Sequence, residues 1–356
     1  MQIFEVLIFI VSVILLGVII SNKPLKKQYV IALISITILV LVLHIAFGNT
    51  RWQLYSLYIV LFVSGIVVYF KLIMRFVMKN VIRITLIIIL SLLLVISLGT
   101  VYAFPMYDIP TPNGEYLIGT ESFVVEDENR MELYSEDTTR FRKIKIQIWY
   151  PAESIIGYEQ APWLEDGLVI ARGLSKDFGL PSFILDHTVN IMSNSYIEAP
   201  ISETSTDYPV IILSHGWRGF RNLHTDYAEE LASQGYIVIG IDHTYGSVAT
   251  VFGNDDIAYL NLDALPSRET TPDFLDFANQ LVNTYASDIT TTLNYLEEIN
   301  DSSNSSRFSE RLDLTNIGLL GHSTGGGADV AVALNDDRID AVIGLDAWVE
   351  PIAETE

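Results

Sequence analysis

Apolar and polar positions follow two different rules in this chain. Up to residue 104 the apolar residues gather in four nearly unbroken stretches, approximately 3 to 20, 29 to 47, 54 to 70 and 84 to 104. A helix rises 1.5 Å per residue, so each stretch suits a span across a hydrocarbon core of about 30 Å. A cleaved leader would need a basic start, and Gln2 and Glu5 are the only polar residues ahead of the first run. From residue 105 the runs shorten and their period changes. Arg142 to Tyr150 alternates polar with apolar, which predicts a strand buried on one face. Tyr208 to Leu213, Tyr236 to Ile241 and Ile317 to Leu320 are continuous, as strands covered on both faces should be.

Helical periodicity fills the spaces between these runs, at Thr225 to Ser233, Phe274 to Ile299 and Ala328 to Leu334, and a last apolar run covers Ala341 to Leu345. Strand and helix in repetition predict an α/β domain, a mostly parallel sheet with helices on both faces. The expected organisation is therefore a four-helix transmembrane segment, 1 to 104, followed by one α/β domain, 105 to 356. Residues 152 to 205 and 244 to 270 fit no regular element; they form either a lid or substrate wall, or surface excursions. Asp301 to Glu310 is a polar, solvated loop.

Charge sharpens the division. The whole chain has 21 basic and 43 acidic side chains, a formal charge of -22. Residues 1 to 104 hold eight of the basic ones and only Glu5 among the acids, so a segment of +7 is joined to a domain of -29. Half the residues are hydrophobic, which excludes a disordered chain, and the acidic balance excludes nucleic acid as a partner. With no cysteine there is no disulfide framework and no thiolate chemistry. Lys23, Lys26 and Lys27 mark the first loop and Lys71, Arg75, Lys79 and Arg83 the third, against Arg51 alone in the second. By the positive-inside rule both termini then face outward, which predicts a multi-pass protein of the cell membrane with its acidic domain on the extracytoplasmic face. Glu5 and His44, near span ends, are expected to be solvated at the interface. No paired acids or broken helices suggest a transport path, so the helices read as an anchor in membrane lipid.

The chemistry lies in the acidic domain. Gly321-His322-Ser323-Thr324-Gly325 follows an apolar strand and precedes an Ala-rich helix. That context makes G-x-S-x-G a nucleophile elbow, a strained strand-to-helix turn with Ser323 as nucleophile and a helix N-terminus aimed at the site. Upstream, the run ending Leu213-Ser214-His215-Gly216-Trp217 supplies the loop expected to form the other half of an oxyanion hole, with the backbone N–H groups of Trp217 and Thr324 as donors. His215 belongs to that loop's geometry rather than to base catalysis. Asp346, at the end of the last strand, can orient and stabilise an imidazolium. No H-E-x-x-H or other ligand cluster implies a metal, and no cofactor is implied.

In these segments, SHGWRGFR (214 to 221), LASQGYIVIGIDHTYGS (231 to 247), LDLTNIGLLGHSTGGG (312 to 327) and GLDAW (344 to 348), the chain resembles the platelet-activating-factor acetylhydrolase, isoform II type of serine esterase, of the α/β-hydrolase superfamily. The resemblance spans roughly residues 140 to 350 and leaves the apolar helices uncovered. It implies an α/β-hydrolase fold, Ser323 as nucleophile, Asp346 as triad acid and Trp217 and Thr324 as oxyanion donors. The substrate it implies is a small-molecule or lipid ester with a short acyl chain, among them phospholipid acyl esters. Asp242-His243 matches an acid-His pair of the family and is given no catalytic role. The family's catalytic histidine follows the acid after further strands, whereas here ten residues follow Asp346. The expectation is a domain truncated after its sixth strand and nearly inactive without a base, and active in a version extended in frame. A non-catalytic binding or sensor protein, a dienelactone or polyester hydrolase, and a transport or signalling role for the helices are the other readings.

Overall fold

A computed structural model of the chain describes residues 2–21, 23, 26–73, 78–137, 139–253 and 255–353, without the side chains of 72, 73 and 353. Arg75, one of the third loop's cations, lies outside the described residues. The chain separates into two compact units, one running to Tyr107 and including Ile184–Asn190, the other comprising Asp108–Phe183 and the remainder from Ile191.

The first unit contains α1 (Ile3–Ser21), α2 (Lys27–Phe47), α3 (Tyr55–Ile73) and α4 (Asn80–Ala103). All four are long and apolar enough to cross a membrane. Ile8, Leu15 and Ile19 of α1 pack with Leu57 and Val60 of α3 and Leu90 of α4, while many other leucines and isoleucines point outward. Glu5 and His44 correct an expectation: both are fully buried rather than solvated. Arg51 grips Glu5 with two nitrogens, at 2.8 and 2.9 Å, and His44 Nε2 stands 2.6 Å from the Tyr58 hydroxyl. A charge can leave water when an opposite charge and matched donors replace it. Arg51 and Gln53 also donate to the Phe104 carbonyl, which ties the start of α1, the α2–α3 connection and the end of α4 together at one end of the bundle.

The second unit is built on one eight-stranded sheet. In chain order its strands are β1 (Leu117–Met131), β2 (Phe141–Ala152), β3 (Gln160–Pro162), β4 (Met192–Ile197), β5 (Tyr208–Ser214) and β6 (Ile237–Asp242). A separate hairpin, β7 (Ala249–Gly253) with β8 (Asp256–Tyr259), precedes β9 (Leu312–His322) and β10 (Ala341–Leu345). The spatial order is β10-β9-β5-β6-β2-β1-β4-β3, with β10, β9, β5 and β6 parallel and β2 antiparallel to both neighbours. The helices are α5 (Gly167–Asp177), α6 (Thr225–Ser233), α7 (Phe274–Asn300), α8 (Thr324–Ala333) and the short α9 (Glu350–Ala353). Ile212, Ile239 and Leu319 bury one face of the sheet against Leu281, Ile289 and Leu293 of α7. On the other face Trp149, Leu213 and Val238 meet Ala228 and Ala232 of α6.

Two features depart from the sequence expectation. Strand β2 is buried on both faces, not one, because its polar positions are matched by fixed partners. Arg142 binds Asp288 at 2.7 Å and Glu132 at 2.9 Å, and Lys145 binds Asp166 at 2.8 Å. The stretches 152 to 205 and 244 to 270 also contain regular elements, α5, β3, β4, β7 and β8. These are mostly three to six residues long, too short to leave much periodic signal.

Candidate active site

Three parallel strands end side by side. Ser214 of β5 pairs with Gly321 of β9, and His322 of β9 pairs with Leu345 of β10. The sheet register therefore brings the His215-Gly216-Trp217 loop, Ser323 and the Asp346 turn to one rim, although up to 131 positions separate them in the chain. In open α/β sheets this carboxyl rim is where ligands bind.

Ser323 occupies the sharp turn expected of it. Its φ is 51° and its ψ -119°, a left-handed conformation that costs a non-glycine residue about 1 to 3 kcal/mol. The turn persists because the surroundings fix it. Ser323 N–H donates to the Leu345 carbonyl at 3.1 Å, and the Ser323 carbonyl accepts from Trp348 N–H at 2.9 Å and Gly327 N–H at 3.0 Å. Close packing demands glycine on both sides: a β-carbon on Gly325 would collide with the carbonyls of Ser214 and His215. One on Gly216 would stand 3.1 Å from Ser323 Cβ. The β5 loop thus lies directly against the serine. Gly219 N–H closes that loop onto the Gly216 carbonyl at 2.9 Å, Trp217 packs partly buried on the main core, and Thr324, buried, opens α8.

Asp346 follows β10 at φ 50° and is exposed, beside Ser323 in register but at the outermost strand of the sheet. None of the six histidines hydrogen-bonds Ser323 or Asp346 in the described residues. His215 donates from Nδ1 to the Gly216 carbonyl at 2.7 Å, while Nε2 accepts from the His243 N–H at 3.2 Å and lies 2.8 Å from Ser247 Oγ, so both nitrogens are engaged. Burial, with His243 nearby, holds its pKa well below the ordinary value. His243 pairs with Asp288 at 3.1 Å and stacks on Tyr285, and Asp242 is held by Arg221. His187 falls in the first unit, its Nδ1 at 3.1 Å from the Ile184 carbonyl. His224 stacks on Tyr227, 6.2 Å from the exposed ring of His322.

One residue behind the serine escaped the sequence reading. Asp329 of α8 is fully buried, and its Oδ2 fills the place a Gly321 side chain would take. Burial pushes its carboxyl far above the ordinary carboxylate range, against a smaller pull from the Ser214 hydroxyl. The only signal was an acid inside the otherwise small, apolar run Gly325 to Ala333.

Comparison with known proteins bears on the fold and the family. The family model of platelet-activating factor acetylhydrolase, isoform II, matches residues 101–356. Platelet-activating factor acetylhydrolase of Canis lupus familiaris is 24% identical over 269 residues, covering 68% of this chain and 56% of the relative. A protein of Arthroderma benhamiae named "Probable 1-alkyl-2-acetylglycerophosphocholine esterase" is 29% identical over 140 residues, 39% of this chain and 31% of that one. This chain thus spans about half the length of the mammalian relatives it matches. The structure of a ferulic acid esterase from Streptomyces cinnamoneus superposes with a TM-score of 0.52 at 24% identity, over 66% of this chain and 61% of that one. The fold is accordingly α/β-hydrolase-like, and the chain belongs to the platelet-activating factor acetylhydrolase, isoform II, family.

Proposed function

We propose that the protein is a membrane-anchored serine esterase. Ser323 Oγ attacks the carbonyl carbon of a carboxylic ester, the alcohol leaves, and water then releases the acid from the acyl-enzyme. The N–H groups of Trp217 and Thr324 stabilise the negative charge on the tetrahedral oxygen, assisted by the N-terminus of α8. The proton of Ser323 Oγ would pass to a histidine base, which none of the described histidines supplies, and Asp346 would orient and stabilise its imidazolium. The observation that carries the reading is the strained Ser323 turn, packed against the Gly216 backbone and bonded to the end of β10. The mammalian relatives' name supports a short-acyl, phospholipid-like ester as substrate. The four apolar helices hold the domain at a membrane, and the basic first and third loops support an extracytoplasmic site.

Expressed from its natural reading frame in membranes, the protein should hydrolyse p-nitrophenyl acetate at a rate that Ser323→Ala lowers by about a thousandfold or more. An unchanged rate in that variant overturns the assignment. One observation favours a second reading, a non-catalytic binding protein: no histidine among the described residues reaches Ser323. That reading requires ester binding without turnover in the same assay. Protease added to intact cells should digest the acidic domain; cleavage only after lysis contradicts the orientation.

A further inference from the structure

The two irregular stretches of the sequence meet to build a groove. Helix α5, from the first stretch, faces the β7–β8 hairpin and its flanks, from the second. Two adjoining cavities lie between them, about 530 and 230 Å³, sharing Gly173, Lys176 and Tyr259. The absence of a side chain at Gly173 lets α5 lie directly on Val248.

The charge of this groove is opposite to that of its domain. Residues 105 to 356 hold 13 basic and 42 acidic side chains, yet the charged groups lining the groove are Arg172, Lys176 and Arg218 against one acid, Asp177. Asp177 is already engaged with Arg218 at 2.9 Å. Lys176 is exposed and forms no ion pair among the described residues, whereas most cations of the domain are committed to carboxylates. The rest of the wall is mainly apolar, from Leu168, Val169 and Leu180 to Leu260 and Leu262, with the hydroxyls of Ser182 and Tyr259 the polar exceptions. The groove also has a fixed relation to the serine. Arg218 lies two residues from Gly216, which packs on Ser323, and Val248 N–H is bonded to the Gly219 carbonyl of the same loop at 2.9 Å.

We infer that this groove binds the anionic head of an amphiphile, with Lys176 and Arg218 on the head and the apolar wall along its chain, so that negatively charged esters are selected for Ser323. The selection of esters rests on the esterase reading; the binding does not. A guanidinium keeps further donors after one carboxylate contact, so Arg218 serves the ligand without leaving Asp177.

The test is therefore a binding measurement. Octyl phosphate, octyl glucoside and inorganic phosphate are titrated separately into the full chain in nanodiscs of zwitterionic lipid, by calorimetry, with empty nanodiscs as blank. Octyl phosphate should bind at least tenfold tighter than either of the others, and the preference should weaken as salt rises. Lys176→Glu should remove that advantage and Lys176→Arg should keep it, while Ser323→Ala should leave it intact. Equal binding of octyl phosphate and octyl glucoside, equal binding of inorganic phosphate and octyl phosphate, or indifference to Lys176→Glu would each overturn the inference. Loss of turnover in Ser323→Ala, or its absence, bears only on the esterase reading.

Discussion

The two sides of Ser323 are built to different standards. On the β5 side the serine meets buried backbone, with the Ser214 and His215 carbonyls against Gly325 and the Gly216 loop against the serine itself. On the β10 side it meets a five-residue strand at the sheet edge, where Ile343 is 57% exposed and Asp346 is open to solvent. Sheet register joins both sides to the strand that carries the serine, while the backbone hydrogen bonds of Ser323 outside its own helix go to the β10 side, so what the β5 side adds is packing. Ser323 and the Gly216 loop form one closely packed block, whereas Asp346 follows a strand that, among the described residues, is paired on one side. The strained Ser323 turn therefore rests on close packing from the β5 side and on backbone hydrogen bonds from the β10 side.

The largest test of the comparison is Gly325→Val. Its side chain has no room beside the Ser214 and His215 carbonyls, so backbone must move, and a loss of about 3 kcal/mol or more is expected in thermal or denaturant unfolding. A loss below about 1 kcal/mol would show that the β5 side yields as easily as the edge.

Acid should act next, and on the β5 side. Burial lowers the pKa of both His215 and His243 from the ordinary value of 6.5. Both are neutral when folded and gain protons when unfolded, so their stabilisation is complete above about pH 6.5 and is lost as pH falls from there towards their folded pKa values. Asp329 opposes this, because burial keeps its carboxyl protonated when folded and so stabilises the fold as pH falls. In Asp329→Asn, which removes that opposing gain, a decrease on the order of 1 to 2 kcal/mol is expected between about pH 7 and pH 5, read as a falling melting temperature. Asp288 beneath His243 does not offset this. Although burial opposes its ionisation, Arg142 and His243 hold its pKa below the usual carboxylate range, so it stays charged throughout that window. A melting temperature of Asp329→Asn that is flat from about pH 7 to pH 5 would refute the assignment.

The smallest effect belongs to the edge. In a chain of residues 1 to 356, Ile343→Lys should change unfolding free energy by less than about 0.5 kcal/mol, because there the side chain is largely in water already. Its visible consequence should be reduced self-association in light scattering, since a charge on an exposed edge strand opposes edge-to-edge pairing. A loss of several kcal/mol would mean that the β10 side is packed as tightly as the β5 side.

The same contrast explains what the sequence could reveal. Ala341–Leu345 and Thr225–Ser233 have the bounds their apolar patterns predict, and the Ser323 turn follows from glycine spacing, because these depend on neighbours in the chain. Burial of Glu5 does not: it needs Arg51, a partner 46 positions away. Nor does the two-sided burial of β2, which rests on Asp288 of α7, or the groove that joins α5 to residues 248 to 262. Asp346 was placed correctly at a strand end, but its exposure depends on what flanks β10, which local pattern does not encode.

The central claim, that the block around Ser323 presents an activated nucleophile, is tested most directly by covalent trapping. Membranes containing the protein expressed from its natural reading frame are treated with a fluorophosphonate, digested and mapped by mass spectrometry. The account predicts a phosphonyl adduct on Ser323, lost in Ser323→Ala. An adduct on another serine, or an unmodified Ser323 in protein that hydrolyses p-nitrophenyl acetate, would contradict it.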